Sequence, residues 1–321
     1  MMTLRDIIKD SDRPDEVRHI AEYVNAHQDE FIAFVRETFD EGTEESKNLI
    51  LNLIDYITEQ LAISVIEHAI EDSSDQIRIR GLKSAYRIRV ESLNNRLAEY
   101  IEDQDLPFEV QKWSVHILAS TDPRAYGKQL RKMARDTSMD LRIRKEIIYA
   151  LTNVSDDETI GTFCTLLGDA NPEIRQAGAW ALSRVSVPAS INCLLAAMED
   201  DDEEVRNWSI RALRDMDDAY ALQMLVETML KVEPNEQTRM IRLLVEKRSE
   251  IILRAIAELL SSPDVNVRRL AAWAMGVSPY PPAMNALKEL IDDEDEQVQT
   301  YAKKAIARLG GLDFRGVGLG L

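Results

Sequence analysis

Apolar side chains recur along this chain in a two-part pattern. One stripe spaces them by three and one, as in Phe163, Leu166 and Leu167 or Ile256, Leu259 and Leu260. A second stripe opens on Val or Ile and continues four, seven and eight residues later, as in Val205, Ser209, Ala212 and Leu213. Both spacings put the apolar positions on one face of an α-helix. With the first residue of the second stripe as an anchor, equivalents fall at Ile77, Val110, Ile143, Ile174, Val205, Glu236, Val267 and Val298, spaced by 33, 33 and then five times 31 residues. A fixed period of that length predicts a stack of two-helix units in which each unit buries its face only against its neighbours.

Between the stripes lies an acidic turn, such as EDDDEE before Val205. An Asp or Ser five residues before the anchor is expected to cap the second helix, with further acids at the positive end of its dipole. Small residues at anchor +4 and +7 allow close helix approach. Position +1 carries Arg78, Arg144, Arg175, Arg206 and Arg268, replaced elsewhere by Gln111, Gln237 and Gln299. An acid before the helix and a guanidinium at its start predict a ladder of bidentate contacts from unit to unit.

Residues 1–63 follow the frame less closely. Asp12 stands five before Val17, with Ala21 and Val24 at core positions, and a further unit anchors at Ser46, so this stretch reads as capping helices with one or two atypical repeats. Residues 64–309 form the regular array. The segment 310–321 is a glycine-rich apolar tail that a chain end leaves disordered unless it docks.

The signature D-x4-[VI]-R-x2-[AG]-x2-A-[LM], standing as DANPEIRQAGAWAL from Asp169 to Leu182, together with the 31-residue period, resembles HEAT repeats of the short, phycobilin-lyase-like class. The resemblance covers residues 64–309 and extends in part over 12–63. It implies an all-α fold, an α-α superhelix of about nine or ten two-helix repeats, whose second helices line a concave side used for partners. Its implication for activity is open, because such repeats serve as scaffolds, lyases and a few enzymes.

Composition narrows the choice. No run reaches the roughly 18 apolar residues of a membrane helix, and the charged start, MMTLRDIIKDSDRPDE, does not read as a signal peptide, so a cytoplasmic protein with no membrane contact is expected. The two cysteines, Cys164 and Cys193, are expected to be core thiols. None of the four histidines is followed by Glu, which disfavours the His-Glu iron sites of hydroxylases with related repeats. Trp113 has Ile117 one turn on and not an acid, so no base-excision constellation can be matched. Phosphate loops and nucleophile elbows are absent, and GVGLG at Gly316–Gly320 has no helix after it. Neither catalytic residues, metal ligands nor a cofactor can be assigned.

Positions +2, +3, +6 and +10 of the second helices are left to point outward. Row +6 reads Lys83, His116, Tyr149, Trp180, Arg211, Arg242, Trp273 and Lys304, and row +3 reads Arg80, Trp113, Glu146, Ala177, Trp208, Arg239, Leu270 and Tyr301. All four tryptophans stand in these two rows. Over the four rows twelve Lys or Arg face three acids, so a total of −18 leaves the rest of the chain at −27. Leaving indoles on a wet face forgoes about 4–6 kcal/mol of burial each, and Trp and Arg are the residues that dominate binding hot spots. The expected function is a non-catalytic scaffold or assembly factor that holds an acidic protein or peptide in a basic groove. Its contacts would be Trp113, Trp180, Trp208, Trp273, Tyr149, Tyr301, Arg80, Lys83, Arg211, Arg239, Arg242 and Lys304. A bilin-type tetrapyrrole lyase or chaperone is the first alternative. A nucleic-acid binder is the second, disfavoured by the negative remainder. Oligomeric state is left open.

Overall fold

A computed structural model describes residues 14–154 and 156–310. Asp12 and tail residues 311–321 lie outside the described residues. The chain divides into two compact units, Met1–Thr159 and Ile160–Leu321, and is helical throughout its regular structure.

In the first unit a lone helix α1 (Pro14–Ala26) precedes four helix pairs. These are α2 (Gln28–Glu41) with α3 (Glu44–Asn52), α4 (Glu59–Ile70) with α5 (Asp75–Ile88), α6 (Asn94–Glu102) with α7 (Phe108–Thr121), and α8 (Pro123–Arg135) with α9 (Leu141–Leu151). The unit boundary falls within α10 (Asp157–Leu166), which pairs with α11 (Pro172–Val185). The second unit continues with α12 (Ile191–Ala197) and α13 (Glu203–Asp215), α14 (Ala219–Lys231) and α15 (Pro234–Leu244), α16 (Glu250–Glu258) and α17 (Val265–Val277), and α18 (Met284–Glu289) and α19 (Glu296–Leu309). Within each unit this is the expected all-α superhelical stack of two-helix repeats. No helix among the described residues is long and apolar enough to cross a membrane.

The stripes form the core. Val205, Ala212 and Leu213 are fully buried, as are Ile174, Ala181 and Leu182 and Val267, Ala271, Ala274 and Met275. Where +4 is glycine, the repeat's own first helix passes close over it. A Cβ on Gly81 would meet the Ala69 Cβ at 2.8 Å, and one on Gly178 would meet the Phe163 carbonyl oxygen and the Leu166 Cβ at 3.3 Å.

The capping expectation needs a correction. The residue three before the anchor, not five, caps the second helix: Asp202 accepts from the Val205 amide at 3.1 Å, Asp264 from Asn266 at 2.8 Å and Asp295 from Val298 at 2.9 Å. The acid at −5 does different work. Asp200 accepts the Asp202 amide at 2.8 Å, closing the turn, and receives the fork of Arg175 from the preceding repeat at 2.8 and 2.9 Å. Asp293 likewise accepts the Asp295 amide at 3.0 Å and the Arg268 fork at 2.8 and 3.1 Å. The same guanidiniums donate backward to the carbonyls of their own turns, Arg175 to Asp169 and Arg268 to Ser262, both at 3.0 Å. One side chain thus satisfies orphan carbonyls of its own repeat and a carboxylate of the next. At the atypical end Lys47 takes this role, 2.6 Å from Asp72 with both side chains buried. That contact places the Ser46 anchor in the ladder.

The 33-residue spacings also acquire a location. In the repeats anchored at Val110 and Ile143 the first-helix stripe sits two residues further back, as buried Leu97, Tyr100 and Ile101 and buried Leu130, Met133 and Ala134. The turn-closing acids shift with it, Asp103 accepting the Asp105 amide at 3.0 Å and Asp136 the Ser138 amide at 2.9 Å. Gln111 reaches eight residues back, to the Asp103 carbonyl at 2.8 Å, where Arg175 reaches six. The two extra residues therefore lengthen the turn inside each of two adjacent repeats.

The cysteines depart from expectation. Cys164 on α10 and Cys193 on α12 are half-buried and bonded as a disulfide across consecutive first helices, with a Cα separation of 5.6 Å and a sequence separation of 29. The stripe spacing hid this, because both positions flank core residues and read individually as apolar.

Two outcomes follow from these contacts. Closing a loop of that length is worth about 3–4 kcal/mol in the chain-entropy account, so Cys164→Ser or reduction should lower the urea-unfolding free energy by up to that amount, and thiol titration of the unreduced, denatured chain should find no free cysteine. The Arg268 fork holds the Asp293 carboxyl below the ordinary carboxylate value, so its contribution is complete above about pH 4 and lost as pH falls through the depressed folded-state value. Asp293→Asn should then cost about 1.5–3 kcal/mol at neutral pH. Urea melts of the two proteins should draw together as pH falls below about 4, and a difference independent of pH would contradict the assignment.

Candidate partner-binding face

Outward positions of the second helices behave as the frame requires. Of the side chains in rows +2, +3, +6 and +10 only Ala177 and Asn207 are buried. Trp113, Trp180, Trp208 and Trp273 are all half-buried, as are Tyr149 and Tyr301. An indole lying along a helix surface covers one face with neighbouring stems and leaves the other to solvent.

In the first unit the ring of Trp113 on α7 meets Tyr86 edge-on at 5.7 Å between centroids and His116 at 6.4 Å. Lys83 on α5 places its ammonium 5.7 Å from the Trp113 ring centre. The indole nitrogen of Trp113 is buried and has no hydrogen-bond partner among the described residues. His116 is 3.0 Å from Glu146, so the acid in row +3 is engaged. Arg80 is bound by Asn48 and Asn52 of α3, which orient its guanidinium without neutralising it. Burial draws its pKa below the usual arginine value.

In the second unit α13, α15, α17 and α19 present the matching surface. Arg211 lies over the Trp208 ring at 5.2 Å and Lys304 over the Tyr301 ring at 5.8 Å. Each pair is a +3 aromatic and a +6 cation, three residues apart on one helix, the spacing at which side chains meet. Trp273, Leu270 and Tyr301 line a concavity of about 520 Å³ with Arg242 and Arg269. No acid lines it. Through Asn235, Thr238 and Arg242 it adjoins a second concavity of about 400 Å³ between α13 and α15.

The predicted cations divide by what they touch. Arg239 is committed to Glu236 and to Asn207, the latter at 2.6 Å. Arg269 binds Asp295 of the next repeat at 2.9 Å, Lys112 faces Glu109 at 3.5 Å, and Arg87 pairs with Asp55 at 2.5 Å. These contribute little net charge to the surface. Lys83, Arg211, Arg242 and Lys304 form no salt bridge among the described residues, so the positive character concentrates on them. Trp180 and Tyr149 lie on α11 and α9, in different units, and both are engaged within the fold.

Asn235, Asn266 and Gln297, at anchor −1, also line the concavity and escaped the sequence reading. Their signal was present: the same position is acidic at Glu173 and Glu204 and becomes an amide in the last three repeats. Among the described residues no group of three or more His, Cys, Asp or Glu is arranged to hold a metal ion.

A family profile described as HEAT repeats matches residues 127–214, 162–244 and 222–307, together more than half of the 321 residues. A search of curated proteins returns no match. Among solved structures, Kap95 in a Kap95:Nup1 complex is similar at 12% identity and a TM-score of 0.59, over 96% of this chain and 51% of that one. Kap121p aligns at 16% identity with a TM-score of 0.58, over 95% and 41% of the two chains. Importin beta aligns at 13% identity with a TM-score of 0.51, over 95% and 50%. The chain spans about half the length of these neighbours or less, and at such identities the likeness establishes the fold alone. From the repeat geometry and the profile match together, the chain belongs to the HEAT-repeat family.

Proposed function

We propose that this protein is a non-catalytic scaffold or assembly factor that holds an acidic protein partner on the outward face of its second helices. The observation that carries the reading is the placement of cations free of salt bridges against aromatic rings. Lys83 sits over Trp113, Arg211 over Trp208 and Lys304 over Tyr301, while Arg242 borders Trp273 in a concavity without acids. A ring beneath a guanidinium holds it in place without neutralising it, so a carboxylate meets a preoriented charge and the partner's apolar stems meet the indoles. Structural neighbours support the class of partner: Kap95 is seen with Nup1 and, separately, with RanGDP. The finer likeness to the phycobilin-lyase-like class and a cytoplasmic setting belong to the same proposal.

Reversing Arg211 and Arg242 together to Glu should weaken capture of the acidic partner from native extract at low salt by tenfold or more, on the order of 1.4 kcal/mol per factor of ten. Trp273→Ala should cost about 2 kcal/mol, roughly thirtyfold. R211E/R242E should melt within a few degrees of the parent because both guanidiniums stand at the surface free of salt bridges. Quantitative pull-down with salt titration checks this. Unchanged capture in both variants, or retention of nucleic acid in place of protein, would sink the reading.

A further inference from the structure

One cavity of the first unit lies away from the outward rows of the second helices. It measures about 1100 Å³ and opens between the turn that joins α6 to α7 and the turn that joins α8 to α9, with α8 along one side. These are the two turns lengthened by the two-residue insertions. Arg175 and Arg268 of the 31-residue repeats each bridge to the acid of the next turn, whereas Gln111, at the same position here, donates to the Ile101 and Asp103 carbonyls of its own repeat.

We propose that this cavity is a second protein-binding site, taking a short acidic peptide segment anchored by a bulky apolar side chain. Leu106, Phe108 and Met139 line it while only half-buried, an apolar surface that the fold itself leaves uncovered. Arg142 stands 4.9 Å from the centre of the Phe108 ring and holds it in place, while methionine beside it adapts to irregular side chains. Charge selects the rest of the ligand. Lys128 and Lys132 project from α8 four residues apart, on one helix face, and neither forms a salt bridge among the described residues.

Three acids share the rim, each with a hydrogen-bond donor, and Asp140 is paired to a cation. Glu102 accepts from Gln129 at 3.1 Å, Asp136 from the Ser138 hydroxyl at 2.7 Å and Asp140 from Arg142 at 3.1 Å. With Asp140 tied to Arg142, the lining leaves Lys128, Lys132 and Arg135 against Glu102 and Asp136, so an arriving carboxylate meets the more numerous charge. A cavity of about 1100 Å³ has room for several peptide residues. A nucleic acid fits poorly, since its continuous phosphates would run against Glu102, Asp136 and Asp140.

The test is selection from a random heptapeptide phage library on the immobilised full chain, run in parallel on K128E/K132E and on K128Q/K132Q. Sequences enriched on the parent alone should combine Asp or Glu with Phe, Leu or Trp. A fluorescein-labelled synthetic copy should bind the parent, lose tenfold or more in affinity to K128E/K132E and less to K128Q/K132Q, and bind R211E/R242E as it binds the parent. Equal melting temperatures of parent and lysine variants separate lost binding from lost folding. Identical sequences from all three proteins, enriched peptides without acids, or displacement of the peptide by the oligonucleotide dT12 would overturn the site. Loss of binding in R211E/R242E alone would assign the peptide to the second-helix face instead.

Discussion

A guanidinium at the start of one second helix gripping the carboxylate before the next is the contact from which the rest of this molecule follows. Arg175 with Asp200 and Arg268 with Asp293 are bidentate and largely removed from solvent, and Lys47 with Asp72 is fully so. Isolated charge at that depth is costly, and pairing tolerates it only with good geometry and further hydrogen bonds. Both conditions are met here: the carboxylate also accepts a turn amide, and the arginine also donates to turn carbonyls. Where it forms, the fork fixes how one repeat sits on the last, so at those joints apolar stripes alone do not have to specify register.

That fixed register is what makes the outward rows meaningful. Once anchor, +4, +7 and +8 are buried, side chains at +3 and +6 of one helix stand side by side, and cations fall over aromatic rings by spacing alone. The sign of a surface depends on which charges are neutralised within it. Arg239, Arg269, Lys112 and Arg87 are tied to acids and help hold neighbouring helices. Lys83, Arg211, Arg242 and Lys304 have no such duty, and the binding proposal rests on those four.

Departures from periodicity carry as much information as the period. Two residues added inside each of two neighbouring repeats leave the buried stripes intact, because the insertion is absorbed by the turn. The longer turns cannot be drawn shut by the same side chain. A cavity with an apolar lining and two unpaired lysines is the result.

By itself the sequence determined the two-helix repeat, its period, the buried positions and the outward rows, down to half-exposed Trp113, Trp180, Trp208 and Trp273. Helical spacing is a local property that burial stamps directly on residue type. It also anticipated the arginine contacts between repeats, since the guanidinium recurs at Arg78, Arg144, Arg175, Arg206 and Arg268. Only the tertiary structure decided which acid caps and which bridges, because Asp at −3 and Asp at −5 are the same residue two positions apart and differ only in what reaches them. Pairing between elements was equally hidden: the Cys164–Cys193 bond, the engagement of Arg239 by Glu236 and the cavity between lengthened turns each depend on residues of different helices meeting in space, and a periodic pattern within one helix carries no record of its neighbour.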